Sequence, residues 1–127
     1  EIIDYLKRSL SIWNINSFAE FYLQIFGKYE SEYNVARVKF IKERERFYKE
    51  LCEIDFLRVI PSEANYFLCE VIKQYTSEML VHILLDKYNI LVKNCSCKKA
   101  FDNRNYIRIA VRNTIDNNKF LMALKQL

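Results

Sequence analysis

One glycine, one proline, one histidine and one tryptophan are all that the 127 residues contain of these types. A chain so poor in glycine and proline has few tight turns, and its segments run long and regular. It has no Gly-rich phosphate loop, no nucleophile beside a base and no carboxylate pair at catalytic spacing, so residue motifs alone identify no reaction. No apolar run has the length of a membrane span and no leader-like pattern is seen, which argues against a membrane partner. Charge of one sign is never massed. The 20 basic residues interleave with 16 acidic ones for a net charge of +4, leaving no block to track a phosphate backbone, and nucleic acid is not expected as a partner. Cys52, Cys69, Cys95 and Cys97 make no disulfide framework and suggest reduced thiols in the cytoplasm. Cys95-Ser96-Cys97 lacks both the two-residue gap and the second pair that zinc usually requires, and His82 has no acidic or thiol neighbour at matching spacing, so no metal is expected.

Half of the chain is apolar and 15% is aromatic, enough for a real core. The spacing predicts a helix over 2–10, with Ile2, Ile3, Leu6 and Leu10 on one side, followed by an aromatic anchor at Trp13. Ser17-Phe-Ala-Glu20 has the form of a capping box, and Phe18, Phe21, Tyr22, Ile25 and Phe26 recur as a helical stripe before Gly27, placed as a positive-φ cap. A long amphipathic helix is expected over 31–53. Tyr33, Ala36, Phe40, Phe47 and Leu51 face inward, and a solvated face of Lys39, Lys42, Glu43, Glu45, Arg46, Lys49 and Glu50 includes a Glu45 to Lys49 pair.

Strands are predicted over 56–60 and 64–71, broken by Pro61-Ser62-Glu63. Thr76 or Ser77 caps a helix through Tyr88, with Leu80, Ile83 and Leu84 inward and Asn89 as a left-handed cap. Two further strands, 90–94 and 106–112, are joined by residues without helical pattern and so pair antiparallel. Thr114 caps a last helix that buries Phe120, Leu121, Leu124 and Leu127. The fold class expected is α+β, a small, mostly antiparallel sheet with helices packed on one face. With Glu1-Ile-Ile-Asp4 already in helical pattern and no initiator methionine, residues 1–127 are expected to be one domain cut from a longer chain.

The strand over 106–112 carries the one chemical suggestion. Ile107, Ile109 and Val111 alternate with Tyr106, Arg108, Ala110 and Arg112, which puts a greasy face opposite one bearing two arginines. A guanidinium held on a strand is a rigid fork suited to a carboxylate or phosphate. Arginines on an outer strand face can equally be plain solvated charges, and spacing alone leaves both readings open.

Four segments in order resemble one family. Trp13-Asn-Ile-Asn-Ser17-Phe-Ala is similar to a Trp-x-Val-Asn-x-x-Ala entry to an interdomain helix, and Pro61-Ser-Glu-Ala-Asn-Tyr-Phe67 to a Pro-Ser-x-Ala-Asn-Phe strand. Ile90-Leu-Val-Lys-Asn-Cys-Ser96 resembles an Ile-Leu-Ile-Arg-Asp-Cys-Ser strand. Tyr106-Ile-Arg-Ile-Ala-Val-Arg112, followed by Asp116-Asn117 and Leu121, resembles an Ile-Arg-Val-Ala-Val-Arg strand and closing helix. These belong to the C-terminal small domain of fold-type I pyridoxal-phosphate enzymes, in the branch of histidinol-phosphate aminotransferases and threonine-phosphate decarboxylases.

The resemblance implies interdomain helices over 1–53 and the small-domain sheet and helices over 54–127. It implies a class I/II aminotransferase, histidinol-phosphate aminotransferase-like, or alternatively a threonine-phosphate-type amino-acid decarboxylase, or a non-catalytic ligand-binding or dimerisation module of the same fold. Arg108 would bind the substrate carboxylate with Tyr106 beside it, and Arg112, Asn65 and Asn16 are further substrate-binding positions. Arg112, roughly 13 Å farther along an extended strand, cannot share one carboxylate with Arg108. Lys93 stands where the decarboxylases often have arginine. The Schiff-base lysine and phosphate cup would lie in a large domain outside these residues, so the chain alone is expected to be inactive and not to hold pyridoxal phosphate. The substrate would be an amino acid or phosphorylated amino acid, and the full-length protein a homodimer, in some relatives fused to an N-terminal nucleotidyltransferase.

Overall fold

The computed structural model describes residues 2–9, 15–101 and 104–127. Trp13 and Leu10 lie outside them, as does the side chain of Leu6. The chain forms two compact units, Glu1–Arg37 and Val38–Leu127.

In the first unit, α1 spans Ile2–Ser9 and α2 spans Ser17–Ile25. The cap of α2 falls one residue before the expected box. The Asn16 side-chain oxygen accepts from the Ala19 amide at 2.9 Å, the contact by which asparagine satisfies a free amide of the first turn. Gly27 has no positive φ, because it lies in a 3-10 turn, Phe26–Tyr29, that runs straight into the next helix. The aromatic stripe has helical spacing, but no described residue covers most of it: Phe18 is 84% exposed, and Phe21 and Tyr22 are exposed as well. Phe26 is half-buried between the Tyr22 and Tyr33 rings, at centroid distances of 5.8 and 5.3 Å.

The long helix α3 spans Glu30–Leu51. In the second unit it is followed by β1 (Leu57–Ile60), β2 (Tyr66–Val71), α4 (Ser77–Tyr88), β3 (Lys93–Asn94), β4 (Tyr106–Ala110) and α5 (Thr114–Lys125). The strands make one antiparallel sheet in the order β1-β2-β4-β3. Pro61, which has no amide hydrogen to give a ladder, follows the edge strand β1. Thr76 caps α4 by accepting from the Met79 amide at 3.1 Å, and Asn89 ends it in the left-handed region at φ 54, ψ 40. The expected strand over 90–94 shrinks to two residues for a related reason: the Ile90 amide donates to the Leu84 carbonyl at 3.0 Å and is spent on the helix end rather than on the ladder. Asn113, rather than Thr114, caps α5 through the Asp116 amide at 2.8 Å.

One sheet face is the core. Register sets Leu57 across from Val71, Cys69 across from Ile107 and Phe67 across from Ile109. Phe47 and Leu51 of α3, Leu80 and Leu84 of α4, and Phe120, Leu121 and Leu124 of α5 close over them in one cluster. Each such side chain contributes roughly 1.5–3 kcal/mol by leaving water. Phe47 is at the centre, its ring 6.1 Å from Phe67 and 6.2 Å from Phe120. The expected α+β architecture is the observed one. Along α3 the inward pattern holds for Phe47 and Leu51, while Tyr33 and Ala36 are exposed.

The charged side of α3 is not a simple solvated face. Arg44 is buried and donates to both the carbonyl and the carboxylate of Glu63, pinning the turn between β1 and β2. Glu43 accepts from Arg46 Nε at 3.0 Å and Nη2 at 2.7 Å, from Thr114 Oγ1 at 2.9 Å and from Asn117 Nδ2 at 2.8 Å. Arg46 also reaches Glu50, so the local pairing is Glu43–Arg46–Glu50 where Glu45 to Lys49 was expected. Asn117, 2% exposed, gives its Nδ2 to the Arg112 carbonyl at 2.9 Å and takes the Arg112 amide on Oδ1 at 3.0 Å. The end of β4 is thereby tied to α5 and, through Glu43, to α3.

Candidate anion site on the outer sheet face

The helices whose side chains close the core, α3, α4 and α5, pack on the first sheet face, and the register arranges the second face in rows. Arg58, Glu70 and Tyr106 form one; Ile60, Leu68, Arg108 and Lys93 form the next; Tyr66 and Ala110 form the third.

The first row is closed. Glu70 holds Arg58 and lies 3.8 Å from Arg104, and its carboxylate lifts the Arg58 guanidinium above its usual range by hydrogen bonding. The loop between β3 and β4 folds onto this end. Phe101 stacks on Tyr106 at 4.6 Å, and Arg104 lies 5.3 Å over the same ring. Buried Ser77 anchors the loop through Asn94, Ser96 and Asn105, and Ser96 Oγ accepts from the Tyr106 amide at 3.2 Å. Tyr106, expected beside Arg108, lies on the same face two residues back along β4 and is enclosed. Cys95 is buried at the loop corner and Cys97 exposed; among the described residues no group of three or more His, Cys, Asp or Glu could hold a metal ion.

The second row is open. Arg108 is exposed on the face opposite the core, and no described carboxylate pairs with it. Lys93 is its direct cross-strand partner. Like charges set opposite each other on an antiparallel pair repel, and an anion bound between them relieves that repulsion. A shallow depression of about 410 Å³ lies there, lined by Leu91, Val92, Lys93, Arg108 and Ala110. The ring beside Arg108 is Tyr66, with the guanidinium carbon 5.3 Å from its centroid.

The other predicted positions lie elsewhere or are otherwise engaged. Arg112 is paired with Asp116 at 2.7 Å and lines a different cavity, of about 300 Å³, with Asn117, Lys119 and Phe120. Asn65 is exposed in the turn before β2, its carbonyl accepting from the Val111 amide at 2.9 Å. The Asn16 side chain is the cap of α2. Sequence reasoning missed Tyr66 as the neighbour of Arg108. The signal was present in Tyr-Phe-Leu-Cys, whose alternation puts Tyr66 and Leu68 on one face, but the cross-strand register that adds Arg108 is not written in either strand alone.

The family model for aminotransferase class I and II matches residues 1–127. The L-serine phosphate decarboxylase of Sulfurospirillum multivorans is 33% identical over 98% of the chain and 32% of its own length. The threonine-phosphate decarboxylase of Salmonella typhimurium is 27% identical over 94% of the chain and 32% of its length. Among solved structures, the histidinol-phosphate aminotransferase of Clostridium acetobutylicum superposes with a TM-score of 0.79 and 34% identity over 94% of the chain and 35% of its own. The chain thus spans about a third of the length of these relatives.

Proposed function

The chain belongs to the aminotransferase class I and II family, and from that premise we propose that it is the C-terminal small domain of a pyridoxal-phosphate enzyme acting on a phosphorylated amino acid. The reaction of the full-length protein is transamination or decarboxylation. Identity does not separate the two, at 33% to an L-serine phosphate decarboxylase and 34% to a histidinol-phosphate aminotransferase; the likeness of Ile90-Leu-Val-Lys-Asn-Cys-Ser96 to the decarboxylase strand is what favours decarboxylation. The observation that carries the reading is Arg108, exposed, free of any described carboxylate and set directly across from Lys93.

Family members use pyridoxal phosphate. The described residues do not fit that group: every lysine whose side chain is described is exposed, and none sits in the enclosed, water-poor pocket that a carbonyl-reactive lysine requires. The cofactor is held by a large domain outside these residues, in a cytoplasmic homodimer. When bound it supplies the electron sink for the reaction. The share of this chain is to seize and orient the substrate anion. β4 is hydrogen-bonded on both sides, so the Arg108 backbone is fixed and its fork of donors meets a carboxylate with little ordering cost.

In the full-length protein, Arg108→Lys keeps the charge and loses the bidentate fork. KM for O-phospho-L-serine is expected to rise by about 30-fold, equivalent to roughly 2 kcal/mol, with cofactor content unchanged. An unaltered KM returns both arginines to the solvated-charge reading.

A further inference from the structure

Glu70 is the carboxylate of the outer face nearest Arg108 along β2, and it is already held by Arg58 and Arg104. Directly across from Arg108 on β2 is Leu68, which offers no polar atom. The described group that engages the guanidinium is the Tyr66 ring, one diagonal step away and 5.3 Å from its carbon. Tyr66 reaches it because its own cross-strand partner is the small Ala110, which leaves the space above the strand empty.

A carboxylate and an aromatic face hold an arginine in different ways. A carboxylate binds the edge N–H donors and neutralises the charge. A ring attracts the face of the cation through its quadrupole and leaves the edge donors free. We infer that Tyr66 is a positioning residue for the anion clamp: it holds the Arg108 guanidinium over its ring by a contact that uses none of the N–H donors, so that the bidentate donor edge stays unoccupied and available to the substrate anion. The inference rests on the reading of Arg108 as the clamp and adds to it a selective reason for an aromatic at 66. The tyrosine hydroxyl has no part in it.

The test uses the full-length holoenzyme and two readouts, KM with kcat for O-phospho-L-serine and calorimetric titration of the same ligand into the cofactor-free protein. Tyr66→Leu is expected to raise KM and the dissociation constant by about two- to five-fold, the worth of an exposed cation–π contact, while kcat and thermal midpoint hold. Tyr66→Phe should match the parent. In an Arg108→Lys background Tyr66→Leu should add little, since the lost ring has no guanidinium to orient. If Arg108→Lys raises KM but Tyr66→Leu does not, the positioning role is wrong and the clamp stands. A Phe variant as weak as the Leu variant assigns the effect to the hydroxyl and overturns the inference. If Arg108→Lys changes nothing, the clamp itself is refuted.

Discussion

Replacing Glu43 by glutamine should destabilise the chain out of proportion to its place on a helix that looks solvated in sequence. Each carboxylate oxygen takes two donors: Oε1 from Arg46 Nη2 and Asn117, Oε2 from Arg46 Nε and Thr114. Glutamine keeps one oxygen and turns the other into an NH₂, which faces an Arg46 N–H in either orientation. The hydrogen bonds from Arg46, outweighing an opposing push from burial and helped by Asn117 and Thr114, hold the Glu43 carboxyl at about 2, from an ordinary 4.5. Taken at full value that displacement is roughly 3 kcal/mol; Arg46 is about one-third exposed, and water screens the pair, so about 1–2 kcal/mol is expected to survive. Because the folded-state value is lowered, this stability is present above pH 4.5 and drains away as pH falls toward 2. Urea unfolding of parent and Glu43→Gln should differ by about 1–2 kcal/mol near neutral pH, with the gap narrowing through that acid window. Equal midpoints near neutrality, or a gap that stays constant down to the low end, would show that Glu43 is only a surface charge.

Two further outcomes follow from burial and from the missing cofactor pocket. Burial, with a smaller contribution from nearby Cys52, pushes the Cys69 thiol up to about 12, and Cys95 is buried too, whereas Cys52 and Cys97 are exposed. Iodoacetamide at neutral pH should therefore label Cys52 and Cys97 in the native chain, with Cys69 and Cys95 modified only after unfolding. Mass spectrometry showing Cys69 labelled as fast as Cys97 would contradict the packing. Mixed with an equimolar amount of pyridoxal phosphate, the isolated chain should show no visible band from a lysine-linked cofactor after gel filtration and no turnover; stable uptake at one lysine would relocate the cofactor site into these residues.

The elements were legible where side chains speak for themselves. Period-two alternation over 106–112 located the buried face of β4, although the strand itself ends at Ala110, because Ile107 and Ile109 need only one apolar side. The order of helices and strands, the Thr76 cap and the left-handed Asn89 were likewise readable from short-range chemistry. What failed was whatever depended on a distant partner. Glu43 and Arg44 carry the same letters as the solvated charges around them, and only α5 and the turn at Glu63 make them structural. Phe18 and Phe21 have the spacing of a core stripe, but spacing does not say whether anything covers it. At the candidate site, Arg108 can be singled out from its own strand, while Lys93 and Tyr66 enter as its neighbours only with the register.

The narrowness of the sheet has a consequence for how the chain keeps from sticking to itself. A strand edge is a template on which another molecule can add a strand, in proportion to the length of its unpaired backbone. Here one edge, β3, is two residues long and begins with Lys93; the other, β1, is four residues long, carries Arg58 and is closed by Pro61. Both edges are too short and too charged to seed growth by strand addition. If the isolated chain aggregates, the exposed aromatic residues of α2 are where contact begins, and substitutions such as Phe18→Ser, rather than changes in the sheet, are what should keep it in solution.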